Sequence, residues 1–268
     1  MRRNLWVIFF WVSCLRGDFQ FAIFGDNQGI SPFLKEIIKE VNVLKPDFII
    51  CAGDMIPGYF KDTVEIKDAW EDFKKEIENL NISFYPVPGN RDIWDKNSRD
   101  MYIKEWRRTY YSFKYRNSFF IILDTEGKGK EENSMKGKQF EWLKKELEKN
   151  KSIKHKFIFL HRPLWLYKNS NWFREIHPLL LKYNVEAVFA GHVHIYCFNE
   201  IDGIKYIITG GAGKHLSLEE EKGGFNHYLL VKVKEDSINI MVIKPGGIFP
   251  ENVMTFEKIE EDIKKVLR

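Results

Sequence analysis

The residues of this chain that could do chemistry fall in five short segments spread over some 170 positions. They are Gly25-Asp26-Asn27-Gln28, Gly53-Asp54, Gly89-Asn90-Arg91-Asp92, His161 and Gly191-His192-Val193-His194. Each alone is ambiguous. Gly-Asp and Pro-Gly-Asn are common in turns, and one His-x-His can be two surface histidines. Together they offer carboxylate, amide and imidazole donors, and most follow an apolar run: Phe19 to Phe24 before Asp26, Phe48 to Cys51 before Asp54, Phe157 to Leu160 before His161, and Val188-Phe189-Ala190 before His192. In an open α/β sheet, ligands bind beyond the carboxyl ends of the strands. The five segments therefore read as one two-metal site.

That reading has a definite chemistry. Two divalent cations a few Å apart repel each other and need an anionic bridge, which a shared carboxylate and a hydroxide supply. Such a pair lowers the pKa of its water and clamps a phosphoryl oxygen during in-line displacement. Neutral His and Asn donors leave the site net positive, which favours a phosphate ester. Oxygen donors mixed with imidazole suit Mn, Fe, Co or Zn better than Ca.

Strand and helix patterns alternate through the first half of the chain. Ser31-Pro32 marks a helix start, and Phe33/Leu34, Ile37/Ile38 and Val41 recur at helical spacing. A second helix carries Ile66, Trp70, Phe73, Ile77 and Leu80, and Ser83 to Val87 is the third strand. Tyr110 to Tyr115 and Phe119 to Leu123, joined by Arg116-Asn117-Ser118, form a hairpin. Further expectations are a helix from Gln139 to Glu148, a strand from Phe157 to Leu160, a helix from Phe173 to Tyr183 and a strand from Ala187 to Ala190. Ile195 to Phe198, Ile204 to Thr209, Tyr228 to Val233 and Ile238 to Ile243 read as successive antiparallel strands, followed by a terminal helix with Phe256, Ile259 and Ile263 on one face. The pattern predicts an α/β fold, two packed mixed β-sheets with helices outside. His155 and His177 fall in helix or loop contexts, and the aromatics Trp94, Tyr102 and Trp106 have helix-core spacing.

Composition narrows the class. The 268 residues carry 42 Lys and Arg against 38 Asp and Glu, and the basic stretches are interleaved with Glu, so no basic groove for a nucleic acid is expected. Three cysteines are too few for a disulfide framework, and without a CxxC pair they argue against a cysteine zinc site. Arg2-Arg3, the apolar run Leu5 to Val12 and Ser13-Cys14 resemble a secretory signal. The expectation is export (periplasmic, secreted or lipid-anchored through Cys14, with the segment as a membrane tether), the alternative being a cytoplasmic protein. This divides the chain into a targeting segment at 1–17, a catalytic domain at 18–250 and a C-terminal helix at 251–268. Gly210-Gly211-Ala212-Gly213-Lys214 lacks the first Gly of a phosphate loop and has His215 where Ser or Thr should stand. His215 and His227 remain candidates for substrate contact, at least one of them structural.

The order and spacing of the five segments resemble those of the calcineurin-like metallophosphoesterases, over roughly Phe19 to Ile243. Gln139-Phe140-Glu141-Trp142-Leu143 and Thr209-Gly210-Gly211-Ala212-Gly213 are softer matches. The resemblance implies a four-layer sandwich and hydrolysis of a small phosphate monoester or diester with two divalent metals. Asp26, Gln28, Asp54 and His194 would hold the first metal and Asn90, His161 and His192 the second, with Asp54 bridging. Asp54, Asn90, Arg91 and His161 would be the catalytic set, and Asn90, Arg91 and His215 the substrate contacts. Two positions depart from the family pattern, which has His where Gln28 and Arg91 stand. The Gln28 amide oxygen can still ligate. Arg91 cannot donate a proton near neutral pH, since its pKa stays above about 12, but it can bind phosphate, or else pair with Asp92 or another acid nearby. A metal- or phosphate-binding module with weak or lost catalysis is the alternative on the same fold.

Overall fold

The computed structural model describes residues 17–127, 135–213 and 215–267. The expected targeting segment lies outside them apart from Gly17, as do Cys14 and Lys214. Among the described residues no helix is long and apolar enough to cross a membrane.

The chain folds into two six-stranded mixed sheets flanked by helices. In the first sheet β1 (Phe19–Phe24), β2 (Phe48–Cys51) and β3 (Ser83–Pro86) run parallel. β10 (Tyr228–Val233), β11 (Ile238–Lys244) and β12 (Gly247–Pro250) extend it antiparallel from β1. In the second sheet β5 (Ser118–Ile122), β6 (His155–Phe159), β7 (Ala187–Ala190) and β9 (Ile204–Thr209) are parallel. β4 (Tyr111–Tyr115) and β8 (Tyr196–Ile201) close its edges antiparallel.

Side-chain alternation decides how the layers stack. Phe19, Phe21 and Ile23 of β1 and Phe48 and Ile50 of β2 join the cluster between the sheets. Ala22 and Phe24 of β1 and Ile49 and Cys51 of β2 face the other way, onto the helices. This period of two is the one a strand buried on both faces requires. Between the sheets the Phe21 ring meets Phe120 at 5.3 Å and Phe157 at 5.5 Å. On the outer face α1 (Pro32–Leu44) buries Leu34, Ile37, Ile38 and Val41, and α2 (Thr63–Ile77) buries Ile66, Trp70 and Phe73. Ser31 caps α1 as expected, accepting from the Leu34 N–H at 3.0 Å. α3 (Lys96–Trp106) starts with a capping box between Asp95 and Ser98. α4 (Gly137–Lys149) and α5 (His177–Lys182) cover the second sheet, and α6 (Phe256–Val266) buries Ile259 and Ile263.

Four local expectations are corrected. The helix expected from Phe173 to Tyr183 is a π turn, Trp172–Ile176, followed by α5. Pro178 has no N–H, so one regular ladder cannot run through it. The late strands are not one antiparallel series. β9 pairs parallel with β7, and the glycine-rich loop then carries the chain to the first sheet, where β10 pairs with β1. β12 was not anticipated, since a short edge strand after Gly246 has little periodicity. His155 opens strand β6 rather than lying in a loop or helix, with its ring 2.7 Å from the Glu186 carboxylate. Cys51 and Cys197 are buried, as their apolar runs imply.

The register brings the site together. Phe24 pairs with Cys51 and Cys51 with Pro86, so β1, β2 and β3 end level. The loops bearing Asp26, Asp54 and Asn90 therefore emerge side by side.

Candidate metal centre

The backbone at these strand ends is unusual. Asp26, Gln28, Asp54 and His192 all have left-handed φ values, of 62°, 49°, 55° and 69°. Non-glycine residues adopt this region at a cost and only where the surroundings over-determine it. The surroundings here are neighbouring loops. Asp26 N–H donates to the Gly53 carbonyl and Gln28 N–H to that of Asp54, both at 2.9 Å. The glycines allow direct contact between loops. A Cβ on Gly53 would strike the His161 ring, one on Gly89 the Asp54 carboxylate, and one on Gly191 the Asp26 carboxylate. Asp92, fully buried, accepts from the N–H groups of Asp54, Met55 and Gly89, all at 2.9 Å. It ties the second and third loops together, a role its place in the sequence did not reveal.

The side chains converge as well. Asp26, Asp54 and His194 each present a ligand atom within 4.8 Å of the others. Gln28 reaches the same corner, its amide Nε2 2.9 Å from the His194 Nε2. On the other side of Asp54 lie Asn90, His161 and His192. His161 Nδ1 is 2.9 Å from the Ala52 carbonyl, which can only accept, so the ring proton is on Nδ1. Nε2 is then a bare lone pair, 3.0 Å from the Asn90 Oδ1 and 3.3 Å from the Asp54 Oδ1. The His161 and His192 rings are 5.1 Å apart.

Three acceptors aimed at one point repel unless a cation lies among them. Ligand atoms about 2.0–2.2 Å from a metal sit about 3.0–3.6 Å from one another, the spacing seen here. Burial acts in the same sense. It lowers the His161 pKa to about 3 and pushes His192 well down and His194 down, so all three rings are neutral donors. The buried Asp26 carboxyl, beside Asp54, is raised well above the usual range. Burial raises Asp54 to about 6 despite the bond from the Arg91 N–H. Divalent cations relieve this strain by supplying the missing charge, so the donor set fits them.

Arg91 resolves an alternative left open by the sequence. Its partner is Asp54, not Asp92: the backbone N–H donates to the Asp54 Oδ1 at 2.8 Å and Nε lies 3.6 Å from Oδ2. Nη1 donates to the Pro57 carbonyl at 2.7 Å. Arg91 and the exposed His215 line one cavity of about 260 Å³ with Asn27, Gln28, Ser31 and Pro57. His227 does not line it. It is fully buried, bonded to the Phe225 carbonyl and the Thr209 hydroxyl, and packs behind Gly211. Tyr102 and Trp106 pack against Trp70, away from the cavity, as helix-core spacing implies; Trp94 does not, since it precedes α3 and its ring lies tilted against Tyr59.

Three further neighbours border the site. Arg162 places Nη1 3.4 Å from the His192 Nε2 and pairs with Glu126 at 3.1 Å. Burial raises the Glu126 carboxyl to about 7, against the pull of Arg162. Tyr59 hydrogen-bonds Asn90 at 2.7 Å. Arg162 follows a candidate ligand and could have been suspected. Tyr59 and Glu126 carry no motif.

Residues 19–196 match the family model described as calcineurin-like phosphoesterase. Tartrate-resistant acid phosphatase type 5 of Mus musculus is 24% identical over 268 aligned residues, covering 80% of each chain. A probable glycerophosphodiester phosphodiesterase of Arcobacter nitrofigilis is 27% identical over 181 residues, covering 60% of this chain and 62% of that protein. The fold is similar to that of the purple acid phosphatase PPD1 from yellow lupin (Lupinus luteus) seeds, with a TM-score of 0.67 and 16% identity over 87% of this chain. This chain spans about half of the lupin protein, 53% of its length.

Proposed function

This chain belongs to the calcineurin-like phosphoesterase family, and from that premise we propose that it hydrolyses a small phosphate ester at a two-metal site built from Asp26, Gln28, Asp54, Asn90, His161, His192 and His194. The observation that carries this reading is the convergence of the bare His161 Nε2 with the Asn90 and Asp54 oxygens at 3.0 and 3.3 Å. Asp26, Gln28 and His194 would hold one cation, Asn90, His161 and His192 the other, and Asp54 both. The mixed oxygen and imidazole set suits Mn, Fe, Zn or Co.

When bound, the metal pair supplies a nucleophile at neutral pH and Lewis-acid neutralisation of the phosphoryl charge. The chain's residues do the rest. The Ala52 carbonyl holds the His161 proton on Nδ1 and keeps Nε2 turned to the site. Asp92 holds the Asp54 and Gly89 loops in register. Arg91, anchored on Pro57 and Asp54, meets phosphoryl charge with a fixed cation and donates no proton. His215 and the adjoining cavity receive the ester's organic portion.

The departures at Gln28 and Arg91 keep a second reading alive, a metal- and phosphate-binding module with weak turnover. One experiment separates the two: metal analysis of the purified chain, with turnover of p-nitrophenyl phosphate and bis(p-nitrophenyl) phosphate under added manganese. Metal uptake with chelator-sensitive hydrolysis supports the enzyme, and metal uptake without hydrolysis supports the module. A chain that takes up no divalent metal contradicts both.

A further inference from the structure

Tyr59 is out of place by ordinary rules. It is a large aromatic residue, 54% exposed, with a left-handed φ of 59°. Neighbouring contacts hold it there. Gly58, at φ 71°, lies so close to the Arg91 backbone and Cβ that no side chain fits. The Arg91 guanidinium lies 5.4 Å from the Tyr59 ring centre, and Trp94 packs on that ring at 5.8 Å. Strain at a site edge is a reason to ask what the side chain does there.

The hydrogen bonding supplies an answer. With its Oδ1 turned to His161 Nε2, Asn90 points its Nδ2 at Tyr59, and the 2.7 Å bond runs from the amide N–H to the phenolic oxygen. A hydroxyl that accepts still has one proton to donate. No described residue takes it. We infer that Tyr59 is a phosphoryl-contacting residue, donating this O–H to an oxygen of the bound ester beside Arg91. The inference rests on the phosphoesterase reading above and extends it.

The test is inorganic phosphate binding, by calorimetry on the manganese-loaded full chain, for the wild type and Tyr59→Phe. Bound manganese is measured in both by elemental analysis. The exposed position makes Tyr59→Phe benign for folding, which a thermal melt checks. A lost hydrogen bond to a charged oxygen should weaken phosphate affinity at least about tenfold, with manganese content unchanged and KM for p-nitrophenyl phosphate raised. Phosphate affinity within about twofold of wild type overturns the inference. So does loss of manganese from Tyr59→Phe, which would make Tyr59 only a support for Asn90. If the wild type itself binds neither manganese nor phosphate, the phosphoesterase reading fails first and this one with it.

Discussion

At the scale of single residues, Asp54 carries the most. Its carboxylate lies between two groups of neutral donors, 3.3 Å from the His161 Nε2 and within 4.8 Å of the Asp26 and His194 ligand atoms. Asp54→Asn keeps the shape and removes the charge that the proposed bridge would share between two cations. We expect loss of at least one metal equivalent and a fall in turnover of about a hundredfold or more. Elemental analysis and p-nitrophenyl phosphate turnover check this, and a variant with full metal and near-normal rate would refute the bridging role. The proton balance gives a second test. In the metal-free protein Asp54 titrates at about 6 and Asp26 sits well above the usual carboxylate range, whereas His161 stays neutral down to about pH 3. As pH falls through 6, protons compete for the Asp54 carboxylate and metal affinity drops, and the raised Asp26 acts in the same direction. The proton released on binding at pH 5–6 must come from the carboxylates, not from His161. Calorimetry in buffers of different ionisation enthalpy should detect about one proton or more per metal bound at pH 5.5. Binding with no proton release would show that the carboxylates are already ionised.

Among the elements, the loops at the strand ends are built around glycines that have no space for a side chain. Gly191 is the clearest, because a Cβ there would run into the Asp26 carboxylate and the Ala52 carbonyl. Its φ is not in the left-handed region, so Gly191→Ala perturbs by contact rather than by backbone strain. The substitution should push Asp26 off its position and reduce metal affinity by about 10–100-fold, the range seen when support of a metal ligand is lost. Competition with a chelator of known affinity measures it. Unchanged affinity with an unchanged melt would mean that the loop has slack that the packed geometry does not suggest. Because β1, β2 and β3 end level, each loop is held by its neighbour as well as by its own strand. The left-handed residues Asp26, Gln28, Asp54 and His192 are tolerable for that reason.

For the whole molecule, the two sheets share one aromatic core, and Phe120 is near its centre. Its ring lies between 4.8 and 6.2 Å from those of Phe19, Phe21, Phe48, Phe113, Phe157 and Phe159, drawn from both sheets. Phe120→Ala should cost about 3–5 kcal/mol, read from urea denaturation. Since both sheets lose contacts at once, the transitions followed by far-ultraviolet circular dichroism and by tryptophan fluorescence should coincide in the wild type. Separate transitions would show the sheets unfolding independently.

The sequence alone determined the residue types of the candidate site, the strand ends that bear them and most elements, because period-two and helical patterns and Gly-Asp or His-x-His pairs are local signals. Ser31 before Pro32 announced α1, and the alternation in Phe19 to Phe24 and Phe48 to Cys51 reflects burial on both faces. Tertiary structure alone decided what depends on partners distant in the chain. The sheet that receives β10, the choice of Asp54 over Asp92 for Arg91, and the burial of His227 while His215 stays exposed are all of this kind. So is Tyr59, whose hydroxyl meets Asn90 across 31 positions. Residue type sets what a side chain can donate or accept. Only packing sets which lone pairs face one another, and here it gathers the donors of the proposed metal site.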